Sequence, residues 1–201
     1  MASPLLIAAL CMGKRHTGAF LFCLAGMGMC LLSAYLNTFF AALYGADAFA
    51  ATVEIAPVVE EGMKLLPLLF YLLVFEPQAR QIGIAAVITA LSFATFENIC
   101  YLIQNGAAHF SFIFFRGIGT GAMHVICGAI VGGGLAYVWR RTWLKIAGTC
   151  GLLGAAITFH AIYNLLIAYG GTAQYIAYLL PVGILAAGKL IFFLKKNLIF
   201  R

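Results

Sequence analysis

Charge is what this sequence has least of: 9% of its 201 residues are Asp, Glu, Lys or Arg, and only 6 residues are acidic. Soluble domains are about a quarter charged and about half apolar, whereas 64% of this chain is hydrophobic. The shortage excludes an ordinary soluble domain. Alternation of apolar and polar residues is missing too. The apolar runs are continuous, which excludes a membrane β-barrel and leaves an all-α, polytopic membrane helix bundle. Metal-binding spacings are also absent. Cys11, Cys23, Cys30, Cys100, Cys127 and Cys150 form no CxxC, and no His-Glu-x-x-His occurs. The cysteines read as small buried hydrophobes. Nor is there a basic stripe. The net charge of +6 comes from residues in short loops, which argues against nucleic acid and gives a topology signal instead. Finally, the apolar run Pro4 to Gly13 has no basic residue ahead of it, and Lys14 and Arg15 come after, so it reads as a short first helix rather than a signal peptide.

What is there is a series of apolar segments, about 2–13, 17–44, 52–75, 81–104, 111–138, 147–169 and 173–194. They predict about seven transmembrane helices in one integral membrane domain, 1–201, a multi-pass protein of the cell membrane. With Lys14 and Arg15 inside, alternating spans bring Arg80, Arg140, Arg141, Lys145, Lys195, Lys196 and Arg201 to the same side. That predicts an N-terminus outside and a C-terminus inside. Gly117, Gly121, Gly128 and Gly132 contain two GxxxG spacings, and Gly148, Gly151 and Gly154 line the next span, so the fifth and sixth spans are expected to approach closely.

Against this background the few polar residues inside spans stand out. Ala56-Pro57-Val58-Val59-Glu60-Glu61-Gly62-Met63-Lys64 puts two carboxylates and a lysine within five positions of an apolar run. Each charge near the middle of a membrane helix costs roughly 2.5–3.5 kcal/mol on insertion scales, so the three must face protein or a water-filled cavity. Pro57 suits a helix start or kink above them, and Pro67 loosens the helix one turn below. Glu97, Asn98 and Tyr101 lie in the fourth span, Arg116 and His124 in the fifth, His160 and Asn164 in the sixth. The orientation sets all of them in one slab, from mid-bilayer to its outer third. Singly, each has a structural reading: an interhelical ion pair for Glu60, Glu61 and Lys64, a hydrogen-bond cluster for Glu97, a satisfied core ring for each histidine. Their common depth across four helices points to a site. His16, His109, Asp47 and Glu54 fall in loops or near the surface and read as structural.

Two adjacent carboxylates in a poorly solvated place resist ionising together, which makes Glu60 and Glu61 an acid and base pair with Lys64 holding part of the charge. Peptide hydrolysis could follow a metal-free route. Glu60 or Glu61 is then the base, with His124, His160 and Asn164 steadying the oxyanion. In a metal route, His124, His160 and a glutamate, Glu97 or one of the Glu60/Glu61 pair (Glu61 foremost), hold zinc with an open position. A transporter or channel with a Glu/His proton relay, or a silent membrane scaffold, are the alternatives from other classes; no inverted repeat between the halves favours the transporter.

Glu60-Glu61-Gly62-Met63-Lys64, Phe96-Glu97-Asn98-Ile99-Cys100-Tyr101, Arg116 followed by His124-Val125-Ile126-Cys127-Gly128, and His160-Ala161-Ile162-Tyr163-Asn164 together resemble the PrsW family of intramembrane proteases, relatives of the CAAX-protease group. The matching core is about residues 53–167. Where CAAX proteases carry EExxxR and FxxxH, this chain has EExxK and Cys100 at the histidine position, so the second histidine role falls to His124. The resemblance implies an endopeptidase acting on a single-span membrane protein near the extracytoplasmic side, such as site-1 cleavage of an anti-sigma factor. Through the metallopeptidase classification of the family, it also implies zinc. The residues it carries are Glu60, Glu61, Glu97, His124, His160 and Asn164, supported by Lys64, Asn98, Tyr101 and Arg116.

Overall fold

The computed structural model describes residues 14–106 and 109–199, and the regular structure there is entirely helical. Six long helices follow one another: α1 (Lys14–Tyr44), α2 (Ala56–Phe75), α3 (Ala79–Asn105), α4 (Phe110–Val138), α5 (Lys145–Tyr169) and α6 (Gly171–Ile199). They match the six later predicted segments to within about five residues at each boundary; the expected first span, 2–13, lies outside the described residues. Five of the helical stretches, Thr17–Tyr44, Ala79–Asn105, Phe110–Val138, Thr142–Tyr169 and Gly171–Ile191, are long and apolar enough to cross a membrane.

Helix α2 carries Glu60, Glu61 and Lys64, and all three side chains are buried. Its opposite face presents Leu66, Phe70 and Leu73, exposed on the surface of the bundle. Polar inside and apolar outside is the inverse of a water-soluble helix and the arrangement that hydrocarbon surroundings require. The molecule is therefore a multi-pass membrane protein.

Helix α4 is the centre, packed on α2, α3, α5 and α6. Small residues set its distance from α3: a methyl group at Gly128 would lie 2.8 Å from Ala90 Cβ, and one at Gly132 would lie 2.5 Å from Ala86 Cβ. The second GxxxG spacing is thus a true crossing point. Other glycines depart from the expectation. Gly117, Gly121, Gly151 and Gly154 face open space. The approach of α4 to α5 is made instead where Gly134 receives Leu152 and Gly148 receives Val138. Glycines at helical spacing mark a crossing only where a partner helix presents a matching ridge, and spacing alone does not say which pair has one.

The entrance to α2 is irregular. Asp47 caps a single turn, Ala48–Ala50, by accepting the Ala50 N–H at 2.8 Å. A π-helical stretch, Ala51–Ile55, then leads directly into α2, and its last register bond runs from Ala56 N–H to the Ala51 carbonyl. Pro57 stands in the first turn of α2, as expected of a helix start, and the chain enters that turn from the π-helical stretch without a break. Having no N–H, Pro57 cannot serve the Thr52 carbonyl, whose α-helical donor, Ala56, is already turned to Ala51. Pro67 is likewise accommodated inside a continuous α2.

Leu68 and Leu72 of α2, Ile82 and Ala86 of α3, and Val131 and Leu135 of α4 form a dry core at the end of the bundle that carries the Arg80 and Arg140–Lys145 connections. The polar residues occupy the other half. Replacing Gly132 by Val drives a branched side chain into Ala86, and overpacking of this kind costs about 1–3 kcal/mol. Thermal unfolding in detergent should show a clear loss for Gly132→Val, while Gly154→Ala, which meets open space, should unfold at or above the wild-type temperature.

Candidate active site

Lys64 sits at the bottom of the polar half, one turn beyond Glu60 on α2. Its ammonium donates to Glu61 Oε1 at 2.6 Å and to His124 Nδ1 at 2.8 Å. The Phe93 ring lies beneath it, with Nζ 4.8 Å from the ring centroid. An ammonium has only donors, so Nδ1 of His124 must accept, and the ring proton is carried on Nε2. That proton is donated to Glu97 Oε2 at 2.7 Å. On the other side, Glu61 Oε1 also accepts from His160 Nδ1 at 2.8 Å. Two carboxylate–histidine pairs result, Glu97–His124 and Glu61–His160, tied together by one lysine. The two rings stand edge to face with centroids 5.0 Å apart.

With Nδ1–H engaged by Glu61, His160 turns the lone pair of Nε2 toward Glu60 Oε2, 3.8 Å away. That carboxylate oxygen is buried and has no hydrogen-bond partner. Two acceptors thus face one another with no donor between them, an arrangement a cation stabilises. One ligand atom each from Glu60, His124 and His160 lies within 4.8 Å of the others. Two imidazoles, a carboxylate and room for water is the donor set of an open metal site, and Glu61 on the far nitrogen of His160 is the usual second layer, while on His124 the far nitrogen, Nδ1, meets Lys64 instead. The residues present therefore fit a divalent metal. The glutamate grouped with the histidines is Glu60, one of the three glutamates the sequence left open for this place.

The site is reached through a cavity of about 730 Å³ that opens at the end of the bundle bearing the Gly45–Asp47 connection, and Glu60, Glu97, Arg116 and His160 line its inner part. Arg116 reaches Glu97 Oε1 at 3.5 Å and stacks on Tyr101 at 3.6 Å from the ring centroid. Glu97 is the open carboxylate: its side chain is 27% exposed, against 2% for Glu61. Asn164 lies in the cavity wall and donates to the Thr52 carbonyl at 2.9 Å, the one that Pro57 leaves without a helical donor. Asn98 stands apart from the cavity, its Oδ1 buried and unpaired. One participant was not anticipated. Asn37 of α1 donates to Glu60 Oε1 at 3.3 Å. Ser33 and Asn37, four apart in an otherwise apolar span, were the signal available in the sequence.

The lysine also sets a stability test. Lys64→Met leaves Glu61 buried without its cation, and breaking a buried pair by removing one partner costs about 3–5 kcal/mol. Unfolding in detergent should show Lys64→Met strongly destabilised, and the double replacement Glu61→Leu with Lys64→Met should recover a large part of the loss.

No curated protein and no solved structure matches the chain. A family profile described as PrsW family intramembrane metalloprotease matches residues 14–187, nearly all of the helices that build the cavity and its polar floor. With that match, and with buried glutamates and histidines gathered inside a membrane bundle, the chain belongs to the PrsW family and is an intramembrane protease that acts on membrane-protein substrates within a lipid bilayer.

Proposed function

We propose that the chain is a zinc-dependent endopeptidase of the cell membrane that cuts a single-span membrane protein near its extracytoplasmic side, in the manner of a first cut in an anti-sigma factor. The observation that carries this reading is the convergence of Glu60, His124 and His160, their ligand atoms within 4.8 Å, at the inner end of the 730 Å³ cavity. These three would hold the ion. To hold it through Nε2, His124 would carry its ring proton on Nδ1, so Lys64 would no longer donate to that ring and would be left to Glu61. When bound, the ion supplies a polarised carbonyl and a water acidic enough to attack at neutral pH.

The remaining steps belong to the chain. Glu97 is the base: its exposed carboxylate takes the proton of the attacking water and returns it to the leaving amine nitrogen as the peptide bond breaks. The sequence pointed to Glu60 or Glu61 for this role; in the proposed scheme Glu60 is a ligand, and Glu61, closed off by Lys64 and His160, orients the ring. Arg116 steadies Glu97 and, next to Tyr101, adds a positive charge where the oxyanion develops. Asn164 holds the π-helical wall of the cavity in place.

The orientation follows the basic residues. Arg80, Arg140, Arg141 and Lys145 all lie at the end opposite the cavity mouth. With that end inside, the mouth faces the extracytoplasmic side, and seven crossings place the N-terminus outside and the C-terminus inside. A reporter fused after Arg201 should read as cytoplasmic; an external reading contradicts this orientation. Cleavage of a reconstituted single-span substrate should stop with a chelator and return with added zinc. Glu97→Gln should lower the rate by at least about 100-fold, the low end for a general base, while retaining bound metal. His160→Ala should lose both. Chelator-resistant cleavage, or near-normal turnover by folded Glu97→Gln, contradicts the scheme.

A further inference from the structure

A second, smaller pocket of about 150 Å³ lies between α1 and α3, and Glu60 and Glu97 line it as well as the main cavity. Its origin is the way the two helices cross. A methyl group at Gly26 would collide with the Ser92 hydroxyl and the Thr89 carbonyl, so α1 and α3 touch backbone to backbone there. Past that crossing the helices enclose a wedge. Its walls are Cys30, Leu31 and Ala34 with Ser33 and Asn37 on the α1 side, and Phe93, Cys100, Tyr101 and Gln104 on the α3 side. Ser33 is 1% exposed. Neither its Oγ nor Asn37 Oδ1 has a hydrogen-bond partner. A buried hydroxyl and a buried amide oxygen left unpaired in an apolar pocket are costly unless something fills the place.

The wedge joins the main cavity at the two carboxylates. A peptide whose scissile carbonyl lies beside Glu97 therefore has an adjoining side chain at the mouth of the wedge. A dry cavity of about 150 Å³ takes a group as large as benzene, which admits side chains up to leucine and leaves out tryptophan. Glu60 and Glu97 repel an acidic side chain, and the unpaired Ser33 Oγ and Asn37 Oδ1 ask for a hydroxyl. We infer that the α1–α3 wedge is the subsite for a substrate residue flanking the cut, and that it selects a small, uncharged, hydroxyl-bearing side chain, serine or threonine. The inference rests on the peptidase reading and adds its specificity.

The test uses the full chain in vesicles with a panel of synthetic single-span peptides. The residues on either side of the cut, mapped by mass spectrometry, are varied through Ala, Ser, Thr, Val, Leu and Trp. At one of the two positions the wild type should cut Thr about 3–10-fold faster than its isostere Val, the worth of one net hydrogen bond, and should leave Trp uncut. Ser33→Ala should erase the Thr–Val difference while still cutting the Ala peptide. Ser33→Leu, which fills the wedge, should cut Ala and lose Thr and Leu. Should Ser33→Leu fail to fold, the Ser33→Ala comparison decides alone. Equal rates for Thr and Val at both positions, or a preference that survives in Ser33→Ala, overturn the subsite and leave the peptidase reading intact. No cut by the wild type in any peptide overturns both.

Discussion

The polar interior depends on the pair formed by Lys64 and Glu61. A lysine and a glutamate taken out of water together are tolerable only when each finds several partners, and here each does. Lys64 divides its donors between Glu61 and His124, and Glu61 divides its oxygen between Lys64 and His160. Through those bonds one ion pair fixes the tautomer and the direction of both rings. The pair is less a source of net stability than a way of specifying geometry, and it does so from below, with His160 at the cavity and His124 fully buried behind it. Glu97 and Glu60 then complete the two sides.

Around that pair the bundle divides along its length. The end with Leu68, Leu72, Ile82 and Leu135 is dry and packed through glycine and alanine contacts. The other end is held apart by the irregular entrance to α2, where Pro57 strands the Thr52 carbonyl and Asn164 takes it up. In the proposed scheme both are needed: the rigid packing below holds the ligand geometry, and the opened wall above admits water and a peptide. Irregular backbone at membrane depth is tolerated only where protein or a cavity surrounds it, and the π-helical stretch sits on the cavity wall.

Much of this was legible in the sequence, for physical reasons. Charges in an apolar run have only one acceptable direction, inward, so Glu60, Glu61, Lys64, Glu97, His124 and His160 could be brought to one place from depth alone. Helix boundaries followed from hydropathy and the loop residues. What could not be read was which carboxylate faces which ring. Glu60 and Glu61 are about 100° apart on a helix, and only the rotation of α2 against α4 and α5 decides that Glu61 meets His160 Nδ1 and Glu60 faces Nε2. Helix pairing was hidden for the same reason. Gly26 has no partner in its own motif, so nothing in the sequence announced its contact with Ser92 and Thr89, and Asn37, with Ser33, lies in a long apolar helix that carries none of the site motifs.

The central claim is that Glu60, His124 and His160 form one metal centre. X-ray absorption at the zinc edge, on protein purified in nanodiscs, addresses it most directly. The account predicts close to one zinc per chain, with two imidazole nitrogens and a carboxylate oxygen at about 2.0–2.2 Å, and loss of the ion in His124→Ala and in His160→Ala. Protein that cuts its substrate without stoichiometric metal, or that keeps its zinc when both histidines are replaced, would contradict it.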